Sequence, residues 1–166
     1  MTRIEIACQQ IAYARAYTRT LLEGLDDADW YRVPAGGVSN IAWQVGHITM
    51  AQFMLTLFRL RGKTDADEAM VPKAFLKRFL KGTQPNPDPA ANLPVADIRR
   101  TFEAVFERVM AELPEYPDAE LDGTVGEPYV GFPTRYGSLL FCSHHEMLHA
   151  GQIGMLRRLM GKAPIR

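Results

Sequence analysis

The chain has 166 residues, with 19 Lys and Arg set against 19 Asp and Glu, so its formal net charge is zero. That length suits one domain spanning residues 1–166 with room for a sizeable core, and the balanced charge carries no footprint for nucleic acid. There is no basic run and no apolar stretch of membrane length, and two cysteines, Cys8 and Cys142, are too few and too far apart for a disulfide framework.

Met1 to Glu5 carries a glutamate where an export signal needs apolar residues, so no such signal is expected. With the sparse cysteines this fits a cytoplasmic setting. Thr2 and Glu5 have the spacing of a capping box, which predicts a helix start. Ile4, Ala7, Ile11, Ala14, Thr18, Leu21 and Leu25 then recur in threes and fours, the spacing of a bundle seam. A loop through Pro34-Ala35-Gly36-Gly37 follows. Ser39 or Asn40 is placed to cap a second helix running to about Leu60. His47 lies on the face of that helix shared with Trp43, Met50 and Met54, so it is expected to point inward or along a cavity.

A long connection spans Arg61 to Pro94. Within it Val71 to Leu80, with Pro72 at its start and Phe75, Leu76 and Phe79 on one side, reads as a short amphipathic helix. Pro85, Pro87 and Pro89 keep the next stretch extended. A connection of this length predicts a crossover between parallel neighbours, a lid, or both. The third helix begins near Pro94 on the stripe Val95, Ile98, Phe102, Val105, Phe106 and Val109, and Pro114 and Pro117 stop it. Nothing between Pro114 and Gly137 alternates well enough to predict a strand. The fourth helix runs from about Ser138 to Met160, where Gly161 and Pro164 end it. Its expected inward face holds Phe141, His145, Leu148, His149, Gln152, Leu156 and Leu159. Four main helices make the fold all-α, a four-helix bundle.

The most informative stretch is His145-Glu146-Met147-Leu148-His149. Two histidines four apart lie about 40° from one another around a helix, so both imidazoles reach one side, at metal-chelating spacing. The motif has the H-E-x-x-H form of a zinc protease, in which Glu146 would be the general base. That reading fails for want of a downstream ligand, because residues 150–166 contain no His, Asp, Glu or Cys. A third ligand has to come from upstream, and His47 is the best placed. A di-iron centre fails too, because the residue preceding His47 at the required spacing is Gln44, which cannot bridge two irons as a carboxylate does.

His144 is rotated about 100° from His145 and points elsewhere. Glu146 also leaves the histidine face and is expected to be solvated or to join a helix–helix salt bridge. Cys142 reads as a small core hydrophobe. Arg157-Arg158 reads as favourable charge near a helix C-terminus. Gln152, one turn beyond His149, is a candidate for binding a ligand. Tyr129, Arg135 and Tyr136, in the loop before the last helix, are candidates for holding an acidic or polar substrate.

Asn40-Ile41-Ala42-Trp43-Gln44-Val45-Gly46-His47-Ile48 is similar to the first histidine motif of the DinB-like proteins. His145 to Gly154, H-x-x-x-H followed by Gly-Gln, resembles their last-helix motif. The resemblance implies an up-down-down-up bundle with a long crossover loop. It also implies one divalent metal ion, zinc or nickel foremost, held by His47, His145 and His149. Similar proteins include S-transferases that use bacillithiol, mycothiol or glutathione, and a metal-dependent maleylpyruvate isomerase. By that analogy the expected activity is transfer of a low-molecular-weight thiol to a small-molecule electrophile, in a homodimer. A hydrolase and a non-catalytic metal-binding or dimeric interaction module are the alternatives. Fold resemblance alone does not carry a reaction across.

Overall fold

The computed structural model describes residues 1–129 and 131–165. Helix α1 (Arg3–Leu22) starts on a complete capping box, in which the Thr2 hydroxyl accepts from the Glu5 amide at 3.2 Å and the Glu5 carboxylate accepts from the Thr2 amide at 2.7 Å. The whole predicted seam from Ile4 to Leu25 is buried. The helix ends at Glu23 and Gly24, the latter at φ 68°, a conformation glycine adopts without penalty. A five-residue helix α2 (Asp27–Tyr31) follows on a second capping box, Asp26 with Asp29.

Asn40, rather than Ser39, caps α3 (Ile41–Phe53), accepting from the Trp43 amide at 2.9 Å. The helix continues through a π-helical segment, Met54–Phe58, into α4 (Arg59–Arg61). A π turn displaces carbonyls from the regular ladder, and the Leu55 carbonyl accepts the Ser138 hydroxyl at 2.7 Å. The connection contains α5 (Asp65–Met70) and α6 (Lys73–Arg78), the second of them inside the predicted 71–80 segment. Helix α7 (Val95–Glu112) buries the stripe predicted for it, with Phe106 partly covered. A short antiparallel hairpin not predicted from the sequence, β1 (Thr124–Tyr129) with β2 (Phe132–Thr134), then leads into α8 (Arg135–Leu159), capped by Thr134. Sequence alternation missed the hairpin because its register is irregular between Thr124 and Tyr129.

Cross-helix contacts fix the directions. Arg15 meets Glu146 and Leu21 meets Arg157, so α1 and α8 run parallel. His47 meets His145 and Leu55 meets Ser138, so α3 and α8 run antiparallel. Arg61 meets Glu112 from the same end of α3 and α7, which are parallel neighbours joined by the crossover. The bundle is therefore up-down-down-up. Among the described residues no helix is long and apolar enough to cross a membrane.

One polar knot ties all four long helices. Arg15 of α1 is fully buried and donates to Glu146 of α8 at 2.9 and 3.4 Å. It also donates to the Phe102 carbonyl of α7 at 2.7 Å and to Gln52 of α3 at 2.7 Å. Its guanidinium lies 3.5 Å above the Phe102 ring centroid. Of the two readings the sequence left for Glu146, the helix–helix salt bridge is the one realised. Arg157 departs from its expected role. It is buried, and its guanidinium donates to the Leu21 and Glu23 carbonyls at 2.8 and 2.7 Å, capping the end of α1 rather than facing solvent at the end of its own helix. Leu148 and Leu159, expected inward, are 64% and 47% exposed, as is Met155 at 57%. They recur at helical spacing on a side of α8 that neither α1 nor α3 covers.

Candidate metal centre

The antiparallel crossing of α3 and α8 brings His47 against the His145/His149 pair. One ring nitrogen from each lies within 4.8 Å of the others. Ring centroids are 4.5 Å apart for His145 and His149, 4.8 Å for His47 and His149, and 5.1 Å for His47 and His145. His47 and His145 are buried and His149 is partly so.

Hydrogen bonds orient two of the rings. His47 Nδ1–H donates to the Phe79 carbonyl at 2.7 Å, since a carbonyl can only accept. His149 Nδ1–H donates to Gln44 Oε1 at 2.6 Å, and the Gln44 amide nitrogen in turn donates to Ser39 Oγ at 2.9 Å. Both Nε2 atoms are left as lone-pair donors, the arrangement in which outer hydrogen bonds fix the tautomer of metal-ligating imidazoles. His149 Nε2 stands 3.3 Å from His145 Nε2. Two Zn–N bonds of about 2.05 Å meeting at a tetrahedral angle separate their nitrogens by about 3.3 Å. Trp43 stacks on His47 at 4.7 Å and 8°, and its indole N–H is taken by Thr83 Oγ1 at 2.9 Å. The crossover thus supplies part of the wall of the centre.

Protonation favours ligation as well. Burial, then the adjacent His149 and His47, push the pKa of His145 down to about 3. Burial, then His47, push His149 down to about 4, with Gln152 opposing. Burial lowers His47 too, against the pull of the Phe79 carbonyl. All three are therefore neutral near pH 7 and chemically fit for a divalent ion of the imidazole-preferring kind. The linkage has a definite sign. The folded pKa values of His145 and His149 lie below the ordinary value of about 6.5, so below that pH the unfolded chain binds protons that the native one refuses. Stability of the metal-free protein should be complete above about pH 6.5 and fall as the pH drops toward 4. Urea midpoints at pH 7.5 and 4.5 read this loss, and the His145→Gln/His149→Gln double variant should lose less over the same interval.

Gln152 lies at the mouth of a cleft of about 410 Å³ that has His149 and Gln44 among its lining residues. Arg135 donates to the Glu120 carboxylate at 2.9 Å, and Tyr136 has the Arg3 guanidinium 5.6 Å from its ring centroid; neither lines that cleft. The Tyr129 side chain lies outside the described residues. His144 is exposed and faces a different groove, beside Gln10 and Tyr13. Cys142 is buried, with burial raising its thiol pKa strongly, so it is an inert core residue as expected.

Sequence reasoning missed the supporting residues. Gln44, weighed only as a failed iron ligand, orients His149. Phe79, read as part of an amphipathic stripe, holds His47 through its backbone. Gly46 lets that happen, because a Cβ there would overlap the Phe79 ring. Gly46→Ala should therefore displace α6 from α3, costing about 1–3 kcal/mol by overpacking, and weaken metal binding through the lost His47 hydrogen bond. Calorimetric metal titration of this variant beside denaturant unfolding reads both effects.

The family profile of the DinB superfamily matches residues 10–153. No curated protein matches the chain significantly.

Proposed function

The chain belongs to the DinB superfamily, and from that membership together with the histidine cluster we propose a divalent-metal-dependent enzyme that transfers a small thiol to an electrophile. The carrying observation is the convergence of three neutral imidazoles with no fourth His, Cys, Asp or Glu in the group among the described residues. Three protein ligands and an open position are the pattern of catalytic rather than structural sites. His47, His145 and His149 would hold the ion, and zinc and nickel both suit these donors. When bound, the ion supplies Lewis acidity that lowers the pKa of a thiol and makes it nucleophilic at neutral pH.

The protein's own groups supply position. Gln44 and the Phe79 carbonyl keep two rings turned inward, Trp43 shields His47 from water, and Gln152 stands at the cleft mouth as a neutral hydrogen-bonding group. Glu146 is not available as a general base, because it is buried and committed to Arg15. The thiol proton would pass to solvent, and the new carbon–sulfur bond would form either as the electrophile's leaving group departs or, in an addition, with a proton returned to the adduct. The same open position suits activation of water, so hydrolysis is the competing reaction.

The test is elemental analysis of the purified protein, followed by thiol consumption with neutral and charged thiols against soft electrophiles. Turnover that needs the metal and disappears with chelator supports transfer. Full turnover in metal-free protein contradicts it, and thiol-independent, metal-dependent ester cleavage moves the assignment to a hydrolase.

A further inference from the structure

We infer that residues 79–86 of the crossover are a strap that a metal-held His47 tightens, so that loading the centre and forming one wall of the neighbouring cleft are a single coupled event. The coupling rests on the metal centre of the function proposed above, and its readouts need no turnover. Asn40, Trp43 and His47 lie three and four residues apart, on one stripe at the start of α3. Each donates to the crossover, and the partners run in antiparallel order. His47 Nδ1–H meets the Phe79 carbonyl at 2.7 Å, the Trp43 indole N–H meets Thr83 Oγ1 at 2.9 Å, and the Asn40 side-chain amide meets the Asn86 carbonyl at 3.0 Å. The three bonds make a ladder whose last rung is a candidate ligand.

The strap depends on these rungs. Phe79 is buried, with its ring against Gly46 and Phe75, but every side chain from Leu80 to Asn92 is exposed or half-buried. A segment with so little buried surface belongs to the low-stability end of a fold, where a few hydrogen bonds decide whether it is docked. Thr83, Gln84 and Pro85 of this strap also line the cleft, together with Gln44 and His149.

The tautomer of His47 carries the coupling. A neutral imidazole has one ring proton. With that proton on Nε2, Nδ1 turns a lone pair toward the Phe79 carbonyl and the rung is lost. Ligation through Nε2 removes this alternative and polarises the N–H at Nδ1, which strengthens its bond to the carbonyl. Linkage is reciprocal, so a docked strap raises affinity for the ion by the same factor. Thr83 is then a positioning residue: it holds Trp43, which stacks on His47 at 4.7 Å and 8°.

The experiment is hydrogen exchange on the full chain, with and without one equivalent of zinc, read by mass spectrometry. It compares residues 79–84, where the Phe79 and Thr83 amides are bonded to the Leu76 and Leu80 carbonyls, with α5, which lies in the same connection but is tied to Arg61. Zinc should slow exchange at 79–84 by about tenfold and leave α5 within about twofold. Thr83→Val keeps the shape and loses the hydroxyl. Its zinc affinity, measured by competition with a chromophoric chelator, should fall about three- to tenfold, and Thr83→Ser should restore it. Zinc bound one per chain with unchanged exchange at 79–84 overturns the inference, as does equal slowing of the strap and α5. A folded Thr83→Val that binds zinc as tightly as the parent overturns it too. A parent that binds no zinc removes the centre and the coupling together. A strap that tightens in a protein that transfers no thiol removes only the proposed activity, and metal-dependent transfer beside an indifferent strap removes only this inference.

Discussion

Glu146→Ala is expected to destabilise the fold by about 3–5 kcal/mol, because it leaves the Arg15 guanidinium buried and uncompensated among four helices. The measurement is a urea or guanidinium midpoint at neutral pH, with far-ultraviolet circular dichroism to confirm a folded baseline. Metal affinity of the molecules that remain folded should change little, since Glu146 is turned toward Arg15 and is not among the clustered ligand groups. Replacing both partners with apolar residues, Arg15→Met with Glu146→Leu, should recover much of the loss, since no buried charge then remains. A Glu146→Ala protein with wild-type stability and no metal would mean that the glutamate belongs to the centre and not to the core.

His149→Ala should have the opposite profile. It removes one of three ligands and the partner of Gln44, so metal affinity should drop by more than about a hundredfold, beyond the usual cost of losing a supporting hydrogen bond alone. Thiol transfer should go with it. The bundle should stay folded, within about 2 kcal/mol of the parent, because its core is the seams of Ile, Leu, Val and Phe, each worth about 1.5–3 kcal/mol when buried. His144→Ala, on an exposed face, should leave metal binding unchanged. Collapse of the helical signal on chelation would show instead that the metal holds the fold, as in small zinc domains.

Much of this was legible in the sequence, and the limits have physical causes. Helical periodicity reports which side of a helix faces inward, so the seam of α1, the stripe of α7 and the pairing of His145 with His149 could be read directly. It cannot report which partner occupies a given side. Glu146 therefore carried two readings, and its bond to Arg15, distant in sequence, needed the bundle to be assembled. Leu148 and Leu159 look like core by composition, yet neither α1 nor α3 covers them. The short helices α2 and α5 did leave a local signal, the capping pairs Asp26 with Asp29 and Thr64 with Asp67. The part of the centre that sequence could not supply is its support. Phe79 acts through a carbonyl and Gly46 through the absence of a side chain, and neither has a residue-type signature of metal chemistry.

Ligation by the three histidines is tested most directly by X-ray absorption at the metal edge on protein loaded with one equivalent of zinc, or of nickel if nickel is the ion it retains. One ion per chain is expected, with three imidazole nitrogens at about 2.0–2.1 Å in the zinc form, and that histidine scattering should be lost in His47→Ala as well as in His149→Ala. Fewer than three imidazoles, a sulfur ligand from Cys142, or an unchanged spectrum in His47→Ala would contradict it.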